Sequence, residues 1–229
     1  VARKIACQYS KQFFTITTQN MSKPTLILIG AGEHANACID VIEQQGQFQI
    51  AGLVGLPSEL HSRRLGYSVI ANDADLPLLA KDNHFAIVTA GQIETPGLRM
   101  RLWAEIMKYG FQLPIIVSPS AYVSHHATVG AGSIVMHGAI VNNGAKIGRN
   151  CIVNSQSLVE HDAVVEDHCH VSTGAILNGR VRIGLGSFIG SGAVIKDGVG
   201  IGDCCVVGMG LAVRHNLPPH SRFAGTPRP

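Results

Sequence analysis

The chain has 229 residues, 46% of them hydrophobic and 14% charged, so it can bury one or two real cores and is too apolar for disorder. Aromatics make up only 5% while glycine numbers 26, so Val, Ile, Leu and Ala must fill the interior, which suggests a thin-walled, repetitive architecture. A formal charge of +3, with no Lys/Arg cluster among aromatics, argues against a nucleic-acid partner, and no apolar run nears the roughly 18 residues of a membrane span.

Residues 1–20 carry no acidic residue and lack the continuous apolar stretch of a secretory signal. Met21, followed by Ser-Lys-Pro, looks like a start, so residues 1–20 are expected to be an upstream extension outside the fold. Residues 21–115 read as a Rossmann-like α/β domain. An apolar strand over 25–29 runs into Gly30-Ala31-Gly32-Glu33-His34-Ala35, and a helix continues to about Gln45 with Ala37, Val41 and Ile42. Further strands are expected at 49–54 and 85–89. Thr95-Pro96 reads as a helix start, with Thr as N-cap and Pro in the first turn, ahead of Leu98, Leu102 and Ile106. A strand at 115–117 then leads into the second unit. Alternating strands and helices imply a parallel sheet. The glycine turn can present backbone N–H groups and a helix N-terminus to a phosphate; a tight turn without a ligand is the alternative. The second strand ends Leu53-Val54-Gly55, without the acid that grips a ribose in dinucleotide enzymes, which argues against NAD.

From Val117 to Val213 an aliphatic residue recurs every six positions, 17 times out of 17. Four residues after each stands a mostly small one; 13 of 16 are Ala, Ser or Cys. A fixed hexapeptide period predicts a parallel β-helix, with the aliphatic residue inward on each short strand and the small one filling the next corner. Gly130, Gly148, Gly184, Gly190, Gly202 and Gly208 follow aliphatics and are expected to relax the turn backbone. The six cysteines (7, 38, 151, 169, 204 and 205) form no CxxC or zinc spacing. Three of them occupy inward small positions as packing residues, and a reduced, cytoplasmic protein is expected.

The Gly-Ala-Gly-x-His turn fused to an uninterrupted hexapeptide series resembles the PglD/NeuD-type sugar acetyltransferases over residues 24–227. The match includes Leu217-Pro218-Pro219-His220-Ser221 and Ala224-Gly225-Thr226-Pro227 at the close. That resemblance implies a left-handed β-helix over residues 116–213, three hexapeptides to an 18-residue coil, followed by a tail over residues 214–229. The prism would stand about 25 Å tall. It also implies a homotrimer with sites between subunits, and acetyl-CoA as co-substrate. The nucleotide of a sugar substrate would bind at Gly30, Ala31, Gly32, His34 and Gly91. Family members often carry acidic residues where this chain has Val54-Gly55, so UDP, dTDP and GDP all stay open.

Glu160-His161-Asp162 resembles the family's Glu-His-acid motif, which makes His161 the expected base and Asp162 its support. His161 lies two residues past the inward Val159 and so outside the core; an ordinary surface histidine is the alternative. Gly179 stands 18 residues on, one coil away on the same face, where its N–H would stabilise an oxyanion. By resemblance His170 contacts acetyl-CoA, and the backbone around Ser191 and Met209 lines the CoA groove. His125, His126, His137, His168, His215 and His220 have no assigned role. The expected activity is acetyl-CoA-dependent N-acetylation of the 4-amino group of a UDP-linked amino-dideoxy sugar of the UDP-N-acetylbacillosamine type, with no metal. O-acetylation of a sialic-acid-type sugar, or N-acetylation of a dTDP- or GDP-linked amino sugar, are the alternatives. A β-helical carbonic anhydrase holding zinc through His161, His168 and His170 does not match in spacing. A non-enzymatic nucleotide-sugar sensor or scaffold is disfavoured by the Glu-His-Asp motif.

Overall fold

The computed structural model describes residues 23–225. The extension expected over residues 1–20, the Met21 start and the closing Thr226-Pro227 lie outside the described residues.

The N-terminal unit runs β1 (Thr25–Ile29), α1 (His34–Gln45), β2 (Gln49–Gly55), β3 (Arg63–Arg64), β4 (Tyr67–Asn72), α2 (Leu76–Asp82), β5 (Phe85–Val88) and α3 (Gly97–Lys108). Its sheet has the order β3-β4-β2-β1-β5, parallel throughout except for β3 against β4. Central β1 is buried on both faces from Leu26 to Ile29, which is why it reads as an unbroken aliphatic run rather than an alternation. β3, β4 and α2 were not anticipated. β4 mixes Ser68 and Asn72 with apolar residues and exposes Ile70, and α2 is only seven residues long, so neither carries a long periodic signal.

α3 begins at Gly97, one residue later than Thr95 as cap implies. Pro96 holds the cap position, and the Thr95 hydroxyl accepts the Gly97 N–H at 3.2 Å from outside it. Leu102 and Ile106 are buried as expected, but Leu98 is 50% exposed. Arg99 takes the inward place, on the same stripe as Leu102 and Ile106 at helical spacing.

From Ile116 onward the chain coils through two-residue strands, each paired in parallel with the strand 18 residues away, as Ile140 pairs Leu158, except the last, where Val206 pairs Arg222. Three sheets result, the faces of a triangular prism. Face one holds six strands from Tyr122–Val123 to Ala212–Val213; face two holds five, from Thr128–Val129 to Gly200–Ile201. Face three holds seven, from Ile116–Val117 to Arg222–Phe223. The second residue of each strand points inward, and the aliphatic series with its small partners forms one core. The N-terminal unit covers face three, where Ile116, Ile134 and Ile152 pack with Ala35, Ile39 and Ile42 of α1.

The turn glycines serve a different purpose from the one expected. The left-handed backbone falls at every sixth position from Gly132 to Gly210, including Asn150, Asp162 and Arg180. The glycines directly after the aliphatics answer to space instead. A Cβ at Gly130 would stand 2.6 Å from the Gly148 carbonyl carbon of the next coil. The inward small residues at the corner between faces two and three also do more than pack. Ser133, Cys151, Cys169 and Ser187 each donate to the carbonyl 15 residues ahead, at 2.7–3.1 Å, so even the thiols are satisfied donors.

Candidate active site

His161 and Asp162 form the turn that carries the chain from face one to face two. Asp162 sits in the left-handed region at φ 59°, and its Oδ2 lies 3.0 Å from His161 Nδ1. A carboxylate only accepts, so Nδ1 carries the proton and Nε2 keeps its lone pair. Gly144, one coil earlier, leaves room for the other Asp162 oxygen, which occupies the place of a Cβ there. Glu160 Oε2 accepts the His161 backbone N–H at 3.1 Å and Asn142 Nδ2 at 2.9 Å, which ties the turn to the preceding coil. The imidazole remains 44% exposed.

Gly179 stacks directly on this turn, as Arg180 N–H donates to the His161 carbonyl at 3.0 Å. The point a Gly179 Cβ would occupy is 2.7 Å from His161 Nε2 and 2.7 Å from Asp197 Oδ2, so only glycine leaves this notch open. The Gly179 N–H has no acceptor among the described residues. A histidine with a free Nε2, an oriented Nδ1 and an unpaired backbone donor nearby can take a proton and stabilise an oxyanion. Asn142 and Asp197, which complete this corner, escaped sequence reasoning. Their spacing of 18 from Glu160 and Gly179 was the signal available.

Within one chain the remaining expected residues lie elsewhere. Ser191 and Met209 line a cavity of about 360 Å³ at the corner between faces three and one, with Ile93, Phe188 and Val206. His170 is buried on face three under the N-terminal unit. Its Nδ1 donates to the Gln92 carbonyl at 2.6 Å, and its Nε2 lies 3.1 Å from Asn154 Nδ2. The structure therefore joins His161, Asp162 and Gly179, joins Ser191 and Met209, and separates the two groups.

Gly30, Ala31, Gly32 and Gly91 line a second cavity of about 270 Å³ at the end of β1. Gly30, at φ 111°, brings the turn so close that a Cβ would meet Ala90 N at 2.8 Å. Arg64 Nε clamps the turn by donating to the Ala31 carbonyl at 2.6 Å. The N–H groups of Ala31, Gly32 and Glu33 have no acceptor among the described residues, which suits an anionic ligand at the start of α1. Acidic residues absent from the end of β2 enter from farther along. Glu59, from the Pro57–Glu59 turn, and Asp73, paired with Arg101 at 2.9 Å, both line the cavity. His34 does not line it; its ring turns toward His170, with centroids 6.3 Å apart.

Histidines without an expected role prove to join the two units. His137 Nε2 meets Asp40 Oδ2 of α1 at 2.8 Å, and its Nδ1 meets Ser118 Oγ at 2.7 Å. His168 lies 2.9 Å from Asn150 Nδ2 and packs edge-on to Trp103. Burial pushes His34 and His170 down from 6.5 to about 4. The unfolded chain therefore binds protons below pH 6.5 that the folded chain refuses until about pH 4, and stability falls as pH drops through that window. Between pH 7 and 5.5 the pair is expected to remove about 2 kcal/mol, read from urea midpoints at the two pH values. His170→Gln should remove about half of that dependence. A midpoint that does not move would show that neither histidine is held neutral.

Among the described residues no group of three or more His, Cys, Asp or Glu is placed to hold a metal ion, and no helix is long and apolar enough to cross a membrane. The family model of the PglD N-terminal domain matches residues 25–95, and that of the hexapeptide repeat of succinyl-transferase matches residues 180–214. No curated protein sequence matches the chain. Among solved structures, PerB from Caulobacter crescentus, in complex with CoA and GDP-perosamine, is 31% identical with a TM-score of 0.82, over 90% of this chain and 96% of its own. The acetyltransferase domain of PglB from Neisseria gonorrhoeae, with acetyl coenzyme A, is 29% identical with a TM-score of 0.81, over 89% and 97%. WeeI from Acinetobacter baumannii is 25% identical with a TM-score of 0.76, over 89% and 98%. The prism is the left-handed β-helix of hexapeptide acetyltransferases.

Proposed function

The chain belongs to the PglD-type sugar acetyltransferases and is an acetyl-CoA-dependent sugar N-acetyltransferase, and we propose that its acceptor is the 4-amino group of a UDP-linked amino-dideoxy sugar of the UDP-N-acetylbacillosamine type. The observation that carries the catalytic part is the His161 corner, with Nε2 free, Nδ1 on Asp162 and the Gly179 N–H unpaired.

In this reading the sugar nitrogen forms a C–N bond to the thioester carbon, the C–S bond breaks, and CoA leaves as the thiol. His161 Nε2 takes the proton the nitrogen must lose. Asp162 holds the imidazole in the required tautomer and stabilises the imidazolium. The Gly179 N–H meets the carbonyl oxygen as it becomes negative. The Gly30–Gly32 turn and the start of α1 hold the sugar's diphosphate, and Gly91 lets the ligand approach. The cavity at Ser191 and Met209 accepts the apolar arm of acetyl-CoA.

A homotrimer reconciles the two separated groups. The outward row of face one, Tyr122, Ile140, Leu158, Ile176, Val194 and Ala212, is apolar, and Tyr122 is 58% exposed. Packing such faces around a threefold axis sets the Ser191 corner of one subunit beside the His161 corner of the next. The fit of PerB, solved with GDP-perosamine, makes a GDP-linked amino sugar the second reading.

The test is CoA-thiol release with acetyl-CoA and UDP-, dTDP- and GDP-linked 4-amino sugars and free sialic acid. Release with the UDP-linked amine at a kcat/KM at least tenfold above the others is expected. A preference for the GDP-linked amine, or release with sialic acid alone, would overturn the substrate assignment. Light scattering is expected to give three times the chain mass; a stable monomer would remove the inter-subunit site.

A further inference from the structure

The notch over Gly179 has a second wall that the reaction described above leaves unused. Asp197 stands 18 residues after Gly179, at the same place in the next coil, and Gly198 N–H donates to the Gly179 carbonyl at 2.9 Å. One carboxylate oxygen, Oδ1, is held by Arg180 Nη2. The other, Oδ2, has no donor among the described side chains and points into the notch. Oδ2 and His161 Nε2 are each 2.7 Å from the point a Gly179 Cβ would fill, so they stand no more than twice that distance apart. Asp197 is 45% exposed and reachable from solvent.

Two acceptors facing one small space, one of them anionic, call for a group with several N–H donors and a positive charge. A sugar hydroxyl brings a single hydrogen and would leave one acceptor unpaired. We infer that Asp197 Oδ2 and His161 Nε2 together seat the acceptor's amino nitrogen as an ammonium, which makes Asp197 the residue that selects an amine over a hydroxyl. The inference rests on His161 serving as the base.

The proton count closes on this arrangement. The ammonium carries three hydrogens. One passes to His161 Nε2 and on to solvent, which frees the lone pair that forms the C–N bond. A second leaves the nitrogen once that bond exists and goes to the departing sulfur as the C–S bond breaks. The third stays on the nitrogen as the amide N–H, and this is the hydrogen Asp197 holds throughout. Arg180 fixes the carboxylate's rotation without entering the notch.

The test uses the full-length protein with acetyl-CoA and two probes, UDP-4-amino-4,6-dideoxy-N-acetylglucosamine and GDP-perosamine, with the 4-hydroxy analogue of each as a competing ligand. Asp197→Asn keeps an oxygen for Arg180 and turns the notch-facing acceptor into an uncharged N–H2 donor. It is expected to raise the KM for the amine about tenfold, with the KM for acetyl-CoA within twofold. The preference for amine over hydroxy analogue should shrink by the same factor, and Asp197→Glu should recover part of it. Arg180→Gln, which frees Oδ1 but leaves the carboxylate's charge, should raise the amine KM by clearly less than Asp197→Asn does. An unchanged amine KM in Asp197→Asn, or the same tenfold rise in Arg180→Gln, would overturn the inference. His161→Ala with wild-type turnover, or a wild type silent with both probes, would instead overturn the reading it rests on.

Discussion

Replacing His161 with alanine is expected to lower kcat about 10³-fold while leaving the KM for acetyl-CoA within about twofold. His161 is the histidine whose Nδ1 is oriented by a carboxylate and whose Nε2 faces an unpaired backbone donor across a notch that only glycine leaves open. The side chain is 44% exposed and packs in no core, so its loss should leave the thermal midpoint almost unchanged. Residual turnover should come from the Gly179 N–H and from bringing the two substrates together, neither of which the substitution touches. CoA-thiol release under saturating acetyl-CoA reads the effect directly. Turnover within tenfold of wild type would remove His161 as base.

The second large effect concerns stability. Arg99 is 1% exposed, with no carboxylate among its partners. One guanidinium nitrogen donates to the Val88 and Ala90 carbonyls; the other donates to the backbone and side-chain oxygens of Asn150 on the prism. Burial pulls its pKa down to about 10, so the charge is costly where it stands. Removing it is costlier still. Arg99→Ala leaves four buried oxygens without donors and opens a void between the two units. Against the relief of a buried charge, a net loss of about 4 kcal/mol is expected. Urea unfolding should show it as a lower midpoint and as a split into two transitions, the N-terminal unit melting first. A single transition within about 1 kcal/mol of wild type would mean that the aliphatic contacts of α1 on face three suffice.

The parts legible from sequence share one physical property: the information is local or strictly periodic. The inward series from Val117 to Val213 fixes the strand positions of the prism because each strand sees the same environment every six residues. His161 and Asp162 are neighbours in the chain, and Gly179 is one coil away, so their meeting follows from the repeat. Contacts between the units had no such period. Asp40 reaches His137 across 97 residues, and Arg99 reaches Asn150 across 51. Nothing in either neighbourhood announces the partner. Arg99 on the stripe of Leu102 and Ile106 reads as an interruption of an apolar face until the Asn150 oxygens are seen above it. The cavity at the end of β1 shows the same limit. Its turn is written in Gly30 to Gly32, while its acids come from Glu59 and Asp73, in turns no strand pattern predicts.

The 18-residue coil also sets a rule for how this protein can change length. Deleting or inserting six residues within the prism would preserve the inward aliphatic series and the core, so the altered chain should still fold. Everything beyond the change would be rotated by a third of a turn, and the residues of the next coil would no longer stack on His161. A change of 18 residues would restore every corner and alter only the height. Length variation compatible with activity should therefore come in whole coils, although length variation compatible with folding comes in thirds.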